Sequence, residues 1–302
     1  MAQNELQLAK AAIAGQFPEL CMQTVESLGE GFRNYAVLVN GEWVFRFPKS
    51  WQGADELNKE IRLLPLLAGR LHVGIPEFEY VGRQSDGRPF VGYRKVPGEI
   101  LGEDGMSALS DEGRDTLARR LADFMSALSA FPVETAIQAG VPIRNLKSEV
   151  LQLMESAKKE AFPLLHESLR DYISRRFQTY LHNPQYGSYT PALIHGDLSP
   201  DHYLMDSRKT ELTGVIDFGD VAIGDPDSDY VYLLEDCGET FTRQVMTYRE
   251  QADPDARIEK VSYFVTFDQV GYLLEGIRSG EKEWIAEGLE ILEEDARINR
   301  SL

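Results

Sequence analysis

The sequence predicts an α+β protein in which a small antiparallel β lobe precedes a larger, mostly helical lobe. Strand-like segments separated by turn residues fill the first third of the 302 residues, and helical periodicity dominates after Pro97-Gly98. Two short apolar runs, each ending at polar residues, interrupt the helices between Leu193 and Asp229. We therefore divide the chain into an N-terminal lobe, residues 1–96, and a C-terminal lobe, residues 97–302.

The N-terminal lobe has the pattern of a helix followed by an antiparallel meander. Apolar residues at helical spacing predict an amphipathic helix over residues 4–16. Asn40-Gly41, between two of the predicted strands, strongly indicates a two-residue hairpin turn. Pro65, inside the second predicted helix, could kink that helix. The predicted strands cover residues 24–28, 35–39, 43–47, 78–81 and 90–93, and the second helix covers residues 55–71.

The C-terminal lobe is predicted to be helical on both sides of the apolar runs. Ser110 is a suitable N-cap for a helix over residues 111–130. Periodic apolar residues predict further helices over residues 147–166 and 169–181, and helical character over residues 256–299. Clefts between two such lobes are common positions for functional sites.

Composition and charge restrict the classes of partner. The chain shows no secretory signal, no apolar stretch of the roughly 18 residues that span a bilayer, and only two cysteines, Cys21 and Cys237. We therefore expect a monomeric cytoplasmic protein that binds no membrane. The net charge of −18, from 31 basic and 49 acidic residues, also disfavours nucleic acid as a partner.

Acidic residues are concentrated after the second apolar run. Between Asp217 and Thr242 there are eight carboxylates and neither lysine nor arginine. Solubility alone is the simpler explanation of the overall charge, but a merely solvated surface usually mixes the two signs. The local concentration favours a surface that binds cations.

The most specific motif surrounds the two apolar runs. His195-Gly196-Asp197 follows the first run and Asp217-Phe218-Gly219-Asp220 follows the second. If the runs lie side by side as buried strands, Asp197, His202 and Asp217 converge at one end, which suggests a hard-metal and proton-transfer site. A zinc site would require a third close His or Cys, and a serine hydrolase would require a nucleophile elbow; neither pattern is found.

Other motifs are weaker. Gly29 and Gly31 could let backbone amides approach phosphate oxygens, although a plain turn explains them equally well. Arg46 taken alone reads as an exposed strand cation and Glu60 as a surface carboxylate, unless both lie beneath the glycine turn and pair. The run from Asp225 to Asp229 reads as a capped turn that could brace the loop after the first apolar run.

Together these motifs resemble the aminoglycoside phosphotransferase family, which has a protein-kinase-like bilobal fold. The resemblance rests on HGDLSPDHYLMD, GVIDFGD and DPDSD, with SLGEGFRNYAVLVNGEWVFRFPK near the start and EDCGE later in the chain. It spans roughly residues 20 to 280 and is strongest to the subgroup that phosphorylates the 2″-hydroxyl of these antibiotics, which confers resistance.

The resemblance implies a role for each matching residue. Asp197 would orient the acceptor hydroxyl and take its proton, His195 would brace the catalytic loop, and His202 and Asp217 would hold magnesium ions that bridge the phosphates of ATP or GTP. The nucleotide-binding set would be Gly29, Gly31, Arg46, Glu60 and the hinge residues Tyr93, Arg94, Lys95 and Val96. Two residues depart from the usual pattern, since Arg46 replaces lysine and His202 replaces asparagine.

A polycationic aminoglycoside would give the acidic cluster a purpose. Its ammonium groups would be bound by Asp220, Glu235, Asp236, Glu239 and Asp268, with Tyr272 on the same wall. Two alternatives stay open: a kinase of the same fold for another hydroxylated metabolite or a macrolide, and a nucleotide-binding pseudokinase, which the departures at Arg46 and His202 motivate.

Overall fold

A five-stranded antiparallel sheet forms the N-terminal part of the protein, with strand order β1-β2-β3-β5-β4. A computed structural model describes residues 3–31 and 33–299. The elements of this part are α1 (Gln3–Gln16), β1 (Val25–Glu30), β2 (Asn34–Val39), β3 (Trp43–Pro48), α2 (Trp51–Leu67), β4 (Phe78–Arg83) and β5 (Pro89–Arg94). The predicted opening helix and all five predicted strands are therefore confirmed, with ends that differ by a few residues.

The hairpin between β2 and β3 forms at the predicted dipeptide. Asn40 and Gly41 have φ values of 54° and 69°, the positive values that a tight two-residue turn requires, and Val39 pairs with Trp43. Alternate residues of β2 are buried, and together with β3 and the apolar face of α1 they form the core of the sheet. This packing fixes the register of β3, which carries Arg46.

Helix α2 begins and ends four residues earlier than the sequence indicated. Ser50 caps it by accepting a hydrogen bond from the Gly53 amide at 3.2 Å, so the helix starts at Trp51. It ends where Ala68 adopts a non-helical ψ of 131°, before Gly69. Pro65 is accommodated within the last turn of the helix.

Helices dominate the rest of the described chain, and five short strands lie among them in a two-stranded and a three-stranded sheet. The elements are β6 (Glu99–Ile100), α3 (Gly102–Ser107), α4 (Asp111–Ser129), α5 (Val133–Gln138), α6 (Leu146–Ser156), α7 (Glu167–His182), β7 (Ala192–Ile194), β8 (Tyr203–Met205), β9 (Leu212–Val215), β10 (Ala222–Gly224), α8 (Val231–Glu235), α9 (Glu239–Tyr248), α10 (Pro254–Ser279) and α11 (Lys282–Ile298). The whole has the predicted α+β architecture. Among the described residues, no helix combines the length and apolar character needed to cross a bilayer.

Two of the predicted helices differ in detail. The helix expected over residues 147–166 is α-helical only to Ser156 and continues as a π turn and a 3₁₀ turn to Leu164. The helical region expected over residues 256–299 is divided at Gly280, whose φ of 74° ends α10. Ser110 caps α4 as predicted, accepting a hydrogen bond from the Gly113 amide.

The side-by-side arrangement suggested for the two apolar runs is wrong. β7 pairs with β10, whereas β9 pairs with β8 in a separate sheet. Runs of three or four residues carry too little pattern to specify a partner strand. The convergence of their polar ends must therefore have another cause.

Candidate active site

Ile216 brings the two polar clusters together. Its amide donates to the His202 carbonyl at 3.1 Å, and its carbonyl lies 3.2 Å from Nε2 of His195. As a result, His202 lies between the two carboxylates, with Nδ1 3.6 Å from Oδ2 of Asp197 and Nε2 3.9 Å from Oδ2 of Asp217. The three predicted side chains therefore meet in one place, although their strands belong to different sheets.

The ring nitrogens of His195 form hydrogen bonds with backbone groups. The ring is fully buried, and burial lowers the pKa of His195 to about 3, so the imidazole is neutral. Nδ1 accepts the Asp197 amide hydrogen at 3.3 Å, which leaves the proton on Nε2 to donate to the Ile216 carbonyl. His195 therefore ties the loop that carries Asp197 to the segment that carries Asp217, which fits the bracing role expected for it.

Asp229 is a buried loop anchor that the sequence did not single out. Its two carboxylate oxygens accept the amide hydrogens of His195 at 3.0 Å and Gly196 at 2.8 Å. Gly196 has φ 84°, and a Cβ there would lie 2.5 Å from the Asp220 carbonyl oxygen, so glycine is required. The DPDSD run had indicated a bracing turn, but the spacing did not show which carboxylate makes the contact.

The His202–Asp217 pair fits a magnesium site that substrate completes. Nδ1 of His202 donates to the Asp197 carbonyl at 2.9 Å, so Nε2 lies on the side of Asp217. Within residues 3–31 and 33–299, no three His, Cys, Asp or Glu side chains are grouped to hold a metal. Mg²⁺ is commonly bound by one or two protein ligands with phosphate oxygens and water, so two protein ligands are sufficient.

The two carboxylates of the site differ in proton affinity. Burial raises the pKa of Asp197 to about 6, the nearby carboxylates add to this, and His202 opposes it. Burial alone would also raise the pKa of Asp217, but Arg46 and His202 outweigh it and lower that pKa. Asp217 is thus kept anionic, as a cation ligand requires, while Asp197 can take up a proton.

Arg46 and Glu60 form the buried ion pair considered above, and their default readings as surface residues are wrong. Arg46 is 7% and Glu60 1% exposed, and the guanidinium donates to both Glu60 oxygens, at 2.8 and 3.3 Å. Nη2 of Arg46 also lies 3.4 Å from Oδ1 of Asp217. Burial alone would lower the pKa of Arg46, but the charges of Glu60 and Asp217 raise it. Helix α2 covers this face of β3, which strand alternation alone could not reveal.

The glycine segment is placed differently from the expected turn. Gly29, with φ 139°, lies inside β1 at an irregularity of its pairing with β2, and the Gly31 amide donates to the Asn34 carbonyl at 2.9 Å. Phe32, which follows, lies outside the described residues. Both glycines are exposed.

The hinge residues divide into buried and exposed side chains. Tyr93 and Val96 pack with Val44 and Leu204 in an apolar cluster between the two lobes. Arg94 and Lys95 are exposed; Arg94 stacks on Trp43 and pairs with Glu42 and Glu79, and the Lys95 amide donates to the Glu42 carbonyl. The four side chains of this cluster are nearly fully buried where the two lobes meet.

Five of the six candidate substrate residues line one large cavity of about 1940 Å³: Glu235, Asp236, Glu239, Asp268 and Tyr272. Burial raises the pKa of both Glu235 and Asp236 to about 7, and Asp268 adds to the effect in each case. Carboxylates that lie close together repel one another when ionised, which raises their pKa values. A bound cation relieves that repulsion, so the cavity favours cationic ligands.

Asp220, the sixth candidate, lies elsewhere. Its carboxylate is exposed and lies 3.1 Å from Nη1 of Arg33, which also pairs with Glu56 of α2. Asp220 is therefore engaged by the N-terminal lobe and lines no part of the cavity. Within the cavity, Glu239 pairs with Arg243 and the Tyr272 hydroxyl donates to Glu287.

The fold and the site define a phosphotransferase of the protein-kinase-like class, with an alcohol group as acceptor. The chain belongs to the phosphotransferase enzyme family, whose model matches residues 24–259. It is 65% identical to wild-type aminoglycoside 2'-phosphotransferase-IIIa in its GDP complex, with a TM-score of 0.95 over 98% of this chain and 100% of that chain.

Two further relatives are similar over most of their length. The GDP and kanamycin complex of APH(2″)-IIIa is 66% identical, with a TM-score of 0.94 over 96% of this chain and 99% of that chain. Viomycin phosphotransferase of Streptomyces vinaceus is 26% identical over 259 residues, which are 84% of this chain and 88% of that protein.

Proposed function

We propose that this enzyme transfers the γ-phosphoryl group of a nucleoside triphosphate to the 2″-hydroxyl of an aminoglycoside and so confers resistance to it. The observation that carries the proposal is Asp197, a carboxylate of raised pKa that lies beside the His202–Asp217 pair. The acidic cavity, lined by Asp268 and Glu235, supplies the charge complementary to a polycationic drug. The kanamycin complex of a 66% identical relative supports this acceptor.

Asp197 would position the attacking hydroxyl and receive its proton. Phosphoryl transfer requires little covalent work from the protein, so alignment and charge neutralisation supply most of the rate. Asp217 and His202 would hold magnesium, which supplies positive charge against the phosphate oxygens when bound. Arg46, already directed at Asp217, would contact the same phosphates.

We propose GTP as the first donor to test and ATP as the second. The two solved structures compared above are GDP complexes, and this chain resembles them over almost its whole length. The base would pack on the apolar cluster of Val44, Tyr93, Val96 and Leu204. Because nucleoside triphosphates are supplied in the cytoplasm, we also propose that the enzyme acts there.

Incubation of the purified protein with kanamycin, Mg²⁺ and GTP or ATP tests the function, with product identified by mass and ³¹P NMR. We expect drug-dependent nucleotide consumption and a phosphate on the 2″-oxygen. Asp197→Asn should reduce kcat by about 10²- to 10⁴-fold, the usual contribution of a positioned general base. Asp123→Asn, an exposed carboxylate of α4, is the matched control and should leave kcat unchanged.

The same assay separates the alternatives. For a cationic acceptor, Asp268→Asn should raise the drug KM and leave the nucleotide KM unchanged; for a neutral macrolide or metabolite it should change neither. A pseudokinase would show no Asp197-dependent turnover with any acceptor. Absence of drug-dependent consumption across a broad aminoglycoside panel would contradict the proposal.

A further inference from the structure

Lys59 is a buried cation between the two lobes that the function above leaves without a role. It lies on α2, is 6% exposed, and donates to the carbonyls of Gly219 at 2.7 Å and Val221 at 2.8 Å. Burial lowers the pKa of Lys59, an effect opposed by Asp220, Glu60 and Glu56. Burying an ammonium is costly, and an apolar side chain of similar length would fill the space without that cost.

The two carbonyls belong to the turn that immediately follows Asp217. Asp217 has φ 61°, a left-handed conformation that is unfavourable for a residue other than glycine and persists only where the surroundings impose it. On its N-terminal side, Ile216 is held by both backbone groups, through His202 and His195. On its C-terminal side, Lys59 holds the next turn from the opposite lobe.

One face of α2 contacts three segments of the chain: a residue after the glycine segment, β3, and the turn after Asp217. Glu56, Lys59 and Glu60 are spaced i, i+3 and i+4, so they project from the same side of the helix. Glu56 binds Arg33 after the glycine segment, and Glu60 binds Arg46 of β3. Lys59 adds the third contact, to the Asp217 segment.

We propose that Lys59 is a positioning residue that holds the Gly219–Val221 turn against α2 and thereby keeps Asp217 in its cation-binding geometry. The proposal rests on the proposed function only in assigning a magnesium–nucleotide complex to Asp217. Lys59 contacts neither substrate; it acts through two backbone carbonyls. Removing the ammonium should loosen Asp217 and weaken magnesium binding, while leaving intact the apolar cluster of Val44, Tyr93, Val96 and Leu204.

Nucleotide binding measured by calorimetry, with and without Mg²⁺ and without drug, tests this directly. The readout is the Mg²⁺-dependent gain in GDP affinity. Lys59→Met should reduce that gain by about 10- to 100-fold, the usual effect of losing a residue that orients a metal ligand, and should leave the Mg²⁺-free Kd unchanged. Lys59→Arg, which keeps the donors, should recover part of the gain. Lys158→Met removes an exposed lysine ion-paired with Glu155 and should match wild type.

The proposal is overturned if Lys59→Met keeps the wild-type Mg²⁺-dependent gain, or if it weakens Mg²⁺-free binding by the same factor. Should Lys59→Met not fold, Lys59→Gln, whose shorter neutral side chain cannot hold both carbonyls, is measured against the same two outcomes. Because no drug is present, a failure of aminoglycoside phosphorylation leaves this result intact. Conversely, normal turnover with an unchanged Mg²⁺-dependent gain in the variant removes only the role of Lys59.

Discussion

At the residue scale, a catalytic side chain is positioned by groups that never touch substrate. Asp229 is the clearest case, because each of its oxygens accepts one amide hydrogen of the loop that leads to Asp197. Burial raises the pKa of Asp229, and the amides of Gly196 and His195 oppose that rise by stabilising the anion. Hydrogen bonds to a charged acceptor contribute about 1.5–3 kcal/mol each.

We therefore expect Asp229→Asn to reduce kcat by about 10- to 100-fold, since the amide keeps one acceptor and loses the other. The KM for nucleotide should change little, because the phosphate-binding residues lie on other elements. Asp225→Asn, in the same turn, removes a carboxylate that binds Lys260 and the Asp227 amide instead. It should lower Tm without changing kcat of the folded enzyme. Equal kcat losses in the two variants would contradict the specific role of Asp229.

At the element scale, α2 links the stability of the N-terminal lobe to nucleotide binding. Its first turn depends on the Ser50 cap, and its central residues hold Arg33, Arg46 and the Asp217 segment. Losing such a cap typically costs about 1 kcal/mol of stability. Fraying of the first turn would reach Glu56 first.

Ser50→Ala should therefore lower Tm and weaken nucleotide binding together. Ser110→Ala removes an equivalent cap from α4, where Ser110 accepts the Gly113 amide hydrogen at 3.1 Å. That variant should lower Tm by a similar amount and leave the nucleotide Kd unchanged. Thermal melts and calorimetric titrations of both variants make the comparison. A weakened nucleotide Kd in Ser110→Ala of the same size would show that general destabilisation is responsible.

Structural features that one or two residues determine could be predicted from the sequence. Features that depend on tertiary packing could not. The Asn40-Gly41 hairpin and the Ser110 cap were readable because a dipeptide or a single side chain sets the geometry. The burial of Arg46 and Glu60 was not, since it depends on α2 lying across β3. The pairing of β7 with β10 was likewise hidden, because three-residue strands carry no register information.

At the scale of the whole molecule, contacts between the lobes and an excess of negative charge act together. Arg33, Arg46 and Lys59 of the N-terminal lobe all reach the segment from Asp217 to Val221. The net charge of −18 opposes compaction, and much of it is concentrated around the cavity. Cations bound in the cavity would relieve that repulsion. A cationic ligand should therefore raise the stability of the folded protein.

This coupling predicts how stability depends on pH. In the folded state the pKa values of Glu235 and Asp236 are raised to about 7 and that of Asp197 to about 6, above their unfolded values near 4. Between about pH 4 and pH 7 these three carboxylates therefore bind more protons in the folded protein than in the unfolded chain. Buried His195, whose pKa is lowered to about 3, has the opposite effect below its usual pKa of about 6.5, but the three carboxylates outnumber it, so stability falls as pH rises through that window. Without drug, Tm should be higher at pH 6 than at pH 8.

The Glu235→Gln/Asp236→Asn double variant should show a smaller difference in Tm between the two pH values, because its amides do not titrate. Calorimetric scans at both pH values check this, and a Tm that rises from pH 6 to pH 8, or an equal slope in the double variant, would contradict the electrostatic origin.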